Sequence, residues 1–313
     1  MKLCMIGTGY VGLVSGTCFA DIGHQVYCVD KDISKINKLN SGISPIYEPG
    51  LDELIQKNFK AKRLIFTTDL KEAIKNSDII FICVGTPNKK GSLNVDLSFV
   101  YKCVKEIYFF TNKKKIIVTK STVPLGTGDQ IEKIIKRKKK LFSVISNPEF
   151  LREGEAIRDF RYPDRIVIGS NSKKDYKSLK RLYAPLINKG ANFFLTSRRG
   201  AELIKYAANS FLATKITFIN EIANLCEKSN INVEDVAMGI GADTRIGGRF
   251  LRAGPAYGGS CFPKDTKGLV SVAEKYRINL SIVKSVIKSN YKRAELLTKR
   301  VHKILGNNLK GKK

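Results

Sequence analysis

The strongest constraint on this chain is a glycine turn set between a strand and a helix at its beginning. Lys2-Leu3-Cys4-Met5-Ile6 reads as a short buried strand and runs directly into Gly7-Thr8-Gly9-Tyr10-Val11-Gly12. A helix-like segment continues through Ile22, and Gln25-Val26-Tyr27-Cys28-Val29 reads as a second strand ending on Asp30. A lone GxGxxG is weak evidence. Placed between a strand and a helix, with an acidic residue at the tip of the second strand, it marks a dinucleotide site. Gly7 permits the tight turn, Gly9 lets a pyrophosphate approach, and Gly12 allows close helix packing. The helix N-terminus then faces the phosphates. Asp30 takes the ribose hydroxyls, and its charge repels a 2′-phosphate, so the expected cofactor is NAD rather than NADP.

Further strands are expected at Leu64–Thr67, Asp78–Val84, Lys115–Lys120, Phe142–Ser146, Arg165–Gly169 and Asn192–Leu195. Their alternation with helical segments predicts an α/β fold, a Rossmann-type doubly wound parallel sheet over residues 1–199. Loops that follow parallel strands lie at the ligand-binding edge of such a sheet. Val84 to Pro87, including Thr86, are therefore expected to touch the cofactor. The loops Ser121-Thr122-Val123-Pro124 and Asn147-Pro148-Glu149-Phe150-Leu151-Arg152-Glu153-Gly154 bring Thr122, Glu149 and Glu153 toward the same crevice. Carboxylates there suit acid–base work or the orientation of water. Glu153 reads equally well as a charge at a helix N-terminus.

The remainder reads as an all-α domain over residues 200–300. From Gly200 to about Ser229 a long helix is expected, with apolar positions wider than one stripe, including Leu203, Ile204, Phe211, Leu212 and Ile219. That pattern predicts burial at a domain or subunit interface. Within it, Lys205 and Asn209 are spaced i, i+4 and share a face. A lysine among core positions is unusual unless paired or functional. Farther on lies Gly258-Gly259-Ser260-Cys261-Phe262-Pro263-Lys264-Asp265. With a helix starting near Pro263, Cys261 sits at its N-terminus, where backbone N–H groups favour a thiolate. The two glycines let a substrate approach the sulfur. A lone cysteine is more often a small buried apolar residue; the residues assembled elsewhere are what favour chemistry here.

Composition excludes several classes. Seven cysteines are scattered singly with no CxxC pair, which argues for a reducing cytoplasm and against a disulfide framework or a structural metal. No apolar run is long enough to span a bilayer, and no secretory leader is recognisable. Only His24 and His302 are present, and His24 reads as structural. The net charge of +28 is spread along the chain without a nucleic-acid-binding signature, so it reads as solvated surface with some attraction for phosphorylated ligands.

Taken together, GTGYVG, VGTP, STVP, NPEFLREG, the Lys205–Asn209 run KYAAN, DTRIG and YGGSCFPKD closely resemble the UDP-glucose/GDP-mannose dehydrogenases, over essentially the whole chain. The resemblance implies two successive NAD-linked oxidations that take a sugar C6 alcohol to a carboxylate, with UDP-glucose as the substrate. It implies that Cys261 captures the C6 aldehyde and that Lys205 and Asn209 stabilise oxyanions. Asp265, Thr122 and Glu149 would position and activate water. Tyr10, Val11, Lys35, Thr86, Pro87, Thr122, Glu153 and Lys264 would join the glycines and Asp30 around the cofactor. Glu149, Phe150, Leu151, Glu153, Phe250, Leu251, Gly254, Tyr257 and Gly258 would line the nucleotide-sugar site with Lys205, Asn209 and Cys261. Arg245 would reach into the site of a neighbouring subunit, in a homodimer built on the long helix. Members of the family continue past a GKK-like linker into a uridine-binding domain of roughly a hundred residues. Residues 301–313 are expected to be the stub of that linker, with the domain missing or supplied as a separate chain. Three other readings stay open. One is a sister enzyme acting on GDP-mannose or UDP-N-acetylmannosamine. Another is a non-catalytic NAD-binding fragment. The last is a basic nucleic-acid-binding protein, supported by net charge alone.

Overall fold

The computed structural model describes residues 1–89, 91–92, 94–306 and 311. Residues 307–310, 312 and 313 of the expected linker lie outside the described residues. The chain divides into two units, Met1–Pro87 with Val95–Lys205, and Asn88–Asn94 with Tyr206–Lys313.

In the first unit eight strands form one sheet. They are β1 (Lys2–Ile6), β2 (Gln25–Val29), β3 (Leu64–Thr67), β4 (Ile79–Ile82), β5 (Lys115–Thr119), β6 (Phe142–Ser146), β7 (Arg165–Gly169) and β8 (Asn192–Thr196). Their order is β3-β2-β1-β4-β5-β6-β7-β8. The order reverses at β1, which pairs with both β2 and β4, so the crevice beyond the carboxyl ends of these strands is the expected ligand edge. Six of the pairings are parallel; β6 and β7 instead run antiparallel and meet only at Ser146 and Gly169. The expected doubly wound parallel sheet is present, with this one antiparallel pairing as an exception. After β6 the chain runs through an irregular loop and then a six-residue helix, so no full crossover helix returns it for a parallel strand.

Among the described residues, nine α-helices lie between these strands: α1 (Tyr10–Asp21), α2 (Ile33–Asn40), α3 (Leu51–Lys60), α4 (Leu70–Asn76), α5 (Ser98–Phe110), α6 (Thr127–Ile134), α7 (Ala156–Arg161), α8 (Lys173–Leu182) and α9 (Ala184–Ile187). Alternate strand side chains feed two separate cores. Leu3, Met5, Val26 and Phe81 pack with Leu13 and Phe19 of α1, Ile55 of α3 and Phe160 of α7. Cys4, Ile6, Ile80 and Ile82 pack with Ile74 of α4, Val104 of α5 and Ile131 of α6. Covering on both faces explains why β4 is an unbroken apolar run rather than an alternating one.

The second unit's regular elements, among the described residues, are helices. α10 (Arg198–Ser229) carries the chain into it, followed by α11 (Val233–Gly241), α12 (Phe262–Lys275) and α13 (Ser281–Leu305). The long helix, expected at a domain or subunit interface, is only partly buried within a single chain. Its buried side is rich in polar groups, including Asn209, Ser210, Thr217 and Asn220. Its apolar residues Leu203, Phe211, Phe218 and Leu225 are exposed by 42, 65, 50 and 64%. They recur at intervals of seven or eight residues, which places them along one stripe. α11 buries no residue at all.

Gly169, at the end of β7, shows how tightly the start of α10 is seated within the first unit. A Cβ there would lie 2.7 Å from the Ser197 carbonyl oxygen and 2.8 Å from the Arg198 Cα. Backbone atoms cannot rotate away, so Gly169→Ala should destabilise the protein by about 1–3 kcal/mol, as overpacking does. Urea unfolding measures this, and an unchanged midpoint would contradict the packing.

Candidate active site

The glycine turn is built as its spacing requires. Gly7 has φ +100°, and its N–H donates to the Val29 carbonyl at 2.8 Å, tying the end of β1 to the end of β2. A Cβ on Gly12 would lie 1.9 Å from the Gly7 carbonyl oxygen, so no other residue fits there. Gly9 caps α1, and a Cβ on it would meet nothing within 4 Å. Packing does not demand a glycine at that point; the open space suits a ligand approaching the first-turn N–H groups of Tyr10, Val11 and Gly12. At the tip of β2, Asp30 accepts from the Thr8 N–H at 3.0 Å, the Thr8 hydroxyl at 2.8 Å and the Asp32 N–H at 3.1 Å. Lys35 lies 3.3 Å from the same carboxylate. Burial pushes the Asp30 carboxyl up, but these donors and the Lys35 charge outweigh it and hold it below the ordinary aspartate range. The residues present fit a dinucleotide: an open glycine, a helix N-terminus and an ionised acceptor at the second strand.

The loops after β4 and β5 are stitched together. The Thr86 hydroxyl donates to the Thr122 carbonyl at 2.8 Å, and the Ser121 hydroxyl donates to the Val84 carbonyl at 2.6 Å. Thr122 and Leu151 are partly exposed, and Pro87 and Glu153 are exposed. After β6, Glu149 and Lys205 form an ion pair at 3.0 Å. The two residues are 7% and 4% exposed, so the pair is almost dry. The second Glu149 oxygen accepts from the Leu151 N–H at 2.6 Å. Burial pushes this carboxyl up, but the Lys205 charge and the Leu151 hydrogen bond bring it below its ordinary value. Phe150 receives two cations on its ring, Arg165 at 4.0 Å and Lys205 at 5.3 Å.

In the second unit Cys261 is the N-cap of α12, and it is the one exposed cysteine of the seven. Gly259 before it has φ +73°, and Cβ atoms on Gly258 or Gly259 would meet nothing within 4 Å. Four residues on, Asp265 is fully buried and donates its N–H to the Cys261 carbonyl at 2.8 Å. Its carboxylate accepts from the Asn209 amide at 2.6 Å and pairs with Lys264. Tyr257 is fixed by two backbone bonds to Asn290, and the Gly254 N–H donates to Asn220 at 2.8 Å. Phe262 packs edge-on against Phe250 and Tyr257. Phe250 itself adopts φ +67°, and Leu251 is buried. Arg245 turns to Asp243 in its own loop and is exposed.

An exposed cysteine in an open glycine turn, a buried carboxylate–ammonium pair and a dinucleotide turn are the groups expected of an NAD-linked oxidation through a covalent intermediate. The sequence matches the model of the UDP-glucose/GDP-mannose dehydrogenase family, NAD binding domain, over residues 1–187, and that family's central domain over residues 199–292. The chain belongs to the UDP-glucose/GDP-mannose dehydrogenase family. It is 51% identical over 317 aligned residues to the UDP-glucose 6-dehydrogenase of Rhizobium meliloti strain 1021, an alignment that covers 100% of this chain and 72% of that protein. Among solved structures it resembles a UDP-glucose dehydrogenase from Pyrobaculum islandicum, with a TM-score of 0.92 and 36% identity over 97% of this chain and 71% of that one. A UDP-D-ManNAc dehydrogenase from Pyrococcus horikoshii aligns with a TM-score of 0.86 and 26% identity, covering 97% of this chain and 72% of that one.

Two residues of this family member escape a reading by motif. Glu48 is buried and accepts from the Gly154 and Ala156 N–H groups, each at 2.8 Å, and from the Tyr10 hydroxyl. It straps the loop carrying Glu149 and Glu153 to the first turn of α1. Lys120, the residue after β5, is buried behind that loop. Neither has a local spacing that separates it from an ordinary surface charge.

Glu149 contributes stability that is present above the ordinary glutamate value of 4.5 and is lost as pH falls through its lowered folded value. Glu149→Gln leaves Lys205 buried without its partner and should cost about 3–5 kcal/mol near neutral pH. Urea unfolding of both proteins across acidic pH should show that gap closing on acidification. A gap that stays constant would contradict the ion pair.

Proposed function

We propose that this chain catalyses the NAD-dependent oxidation of UDP-glucose at C6 to UDP-glucuronate, in two steps on one sugar. The observation that carries the reading is Cys261, exposed at the start of α12 beside glycines that leave its approach open. The glycine turn and Asp30 would hold NAD, which would supply the hydride acceptor for C6 in each step. In the first step the C6 hydroxyl also loses its proton, giving an aldehyde. The Cys261 sulfur then bonds to the aldehyde carbon while its proton passes to the oxygen, forming a thiohemiacetal. Loss of the second hydride and of that proton gives a thioester. Water adds to the thioester carbon, the carbon–sulfur bond breaks, and the carboxylate leaves with the thiol restored.

Each residue has a task in this reading. Lys205 and Asn209 stabilise negative charge on the C6 oxygen, Lys205 as the main electrostatic donor. Asp265, Glu149 and Thr122 position water and carry protons away from it. Asp30 and Lys35 hold the adenosine ribose, and Thr86, Pro87, Glu153 and Lys264 bound the cofactor. Phe150, Leu151, Phe250, Leu251, Gly254, Tyr257 and Gly258 bound the nucleotide sugar. The relative named a UDP-glucose 6-dehydrogenase, at 51% identity, supports UDP-glucose over UDP-N-acetylmannosamine, whose dehydrogenase from Pyrococcus horikoshii shares 26%. Seven unpaired cysteines support a reducing compartment, the cytoplasm. Among the described residues no helix is long and apolar enough to cross a membrane. The exposed stripe of Phe211, Phe218 and Leu225, with the unburied α11, supports a homodimer that covers α10. Arg245, exposed beyond its Asp243 partner, would extend toward the second subunit.

The purified chain with NAD and UDP-glucose should form two NADH per UDP-glucuronate. Cys261→Ser should lower net turnover by at least about a thousandfold, as loss of a catalytic nucleophile does, with NAD affinity unchanged. Normal turnover by that variant would remove the covalent route. No NADH from the unaltered chain would overturn the reading.

A further inference from the structure

Glu202 has no task in the chemistry above, yet the structure builds a receptacle for its carboxylate. The residue lies in the first turns of α10 and is 3% exposed. One carboxylate oxygen accepts from the Gly126 N–H at 2.7 Å. The other accepts from the Gly128 N–H at 2.8 Å and from the Ser146 hydroxyl at 3.2 Å. Gly126 is the N-cap of α6, so the carboxylate lies over unsatisfied N–H groups at the start of that helix, where negative charge is favoured. Both glycines serve the contact. Gly126 has φ +89°, and a Cβ on Gly128 would lie 3.2 Å from Glu202 Oε1 and 2.9 Å from Arg198 Cδ.

Two pieces of the proposed reactive edge supply these donors, and the helix of Glu202 is a third. Gly126 follows closely on Thr122, and the turn between them is closed by Thr127, whose N–H and hydroxyl donate to the Pro124 carbonyl at 3.1 and 2.6 Å. Ser146 is the last residue of β6, from which the chain runs directly to Glu149. Lys205 lies one turn beyond Glu202 on the same face of α10, and it pairs with Glu149 at 3.0 Å. The start of α10 is also held by Arg198, which pairs with Asp129 at 3.0 Å and Glu132 at 2.8 Å. Those ion pairs reach the body of α6. The Glu202 carboxylate adds the loop before α6 and the end of β6.

We propose that Glu202 is a positioning residue for the oxidation: its carboxylate fastens the loop that carries Thr122, and the end of β6 that leads to Glu149, to the turns of α10 that carry Lys205. The link to oxidation rests on the proposed function; the clasp itself does not. Only when ionised does the carboxylate offer a free acceptor oxygen to each glycine N–H. Burial raises the Glu202 carboxyl to about 6, with Asp129 of α6 adding to the rise, while the two glycine N–H groups and the Ser146 hydroxyl oppose it. The other ionisable groups beside it are Arg198, paired on α6, and Tyr101 of α5, whose phenol is raised by burial and by the Glu202 charge. The clasp is therefore closed above about pH 6 and loosens below it. Stability runs the other way. An unfolded glutamate ionises near 4.5, so ionising Glu202 in the fold lowers stability as pH rises from there to about 6. Opposite trends with pH separate positioning from structural support.

The test begins with the amide signals of Gly126 and Gly128, followed by NMR in the isotope-labelled chain as pH is varied. Both should shift with one midpoint near 6, and neither should titrate there in Glu202→Gln. Turnover is the second readout. At about pH 8, with urea unfolding showing both proteins folded, Glu202→Gln should lower kcat at least about tenfold, as small misplacements of reacting groups do. The ratio of parent to variant kcat should then shrink toward one as pH falls through about 6. Equal kcat values at the higher pH, a ratio that does not change with pH, or glycine amides that do not titrate in the parent would each overturn the proposal. If Glu202→Gln does not fold, Glu202→Asp, too short by a methylene to span both N–H groups, should show the same loss of kcat. Normal turnover by that variant overturns the proposal as well. Absence of NADH from the parent protein would count against the proposed function, and the glycine titration would still decide whether the clasp exists.

Discussion

The first unit's reactive edge depends on a salt bridge that is almost dry. Glu149 and Lys205 are each more than nine-tenths buried and meet at 3.0 Å. Neither charge is tolerable there alone, because burial without a partner costs several kcal/mol. The pair therefore dictates its setting. The loop after β6 must bring Glu149 to the first turns of α10, and the Leu151 N–H must take up the second carboxylate oxygen. Phe150 is trapped between the two cations Arg165 and Lys205 as a result. An ion pair so placed stabilises the fold little beyond what its own burial costs, which is consistent with the roles proposed for the two groups.

The second unit follows the same logic with different parts. Asp265 is fully buried and is made tolerable by Asn209 and Lys264. That arrangement fixes the first turn of α12, and with it the backbone that ends at Cys261. The cysteine itself is left exposed, while its six counterparts are buried. Exposure of this single thiol, where the other six are buried, is what the proposed covalent role requires of it.

Much of this was legible in the residues. The central strands stand out as apolar runs because the sheet is covered on both faces there, and GTGYVG with Asp30 announced its turn because only glycine fits at Gly12. Other features depend on tertiary partners and left no local trace. The antiparallel β7 arises from how the chain leaves β6, and no periodicity within Arg165–Gly169 carries it. The long helix was read as buried because it is apolar on several sides. In one chain the stripe from Leu203 to Leu225 faces outward, and sequence alone does not separate a face waiting for a second subunit from a face already covered. Glu48 and Lys120 lie in stretches where one more charge has no meaning until the fold buries it. Their interest comes entirely from burial beside the loop of Glu149.

The most direct measurement is the intact mass of the protein quenched in acid while it turns over UDP-glucose and NAD, followed by peptide mapping. A covalent route predicts a fraction of molecules carrying the nucleotide sugar on the peptide that contains Cys261, and none after the substrate is exhausted. Turnover with no adduct on that peptide at any quench time, across conditions that slow thioester hydrolysis, would contradict the account.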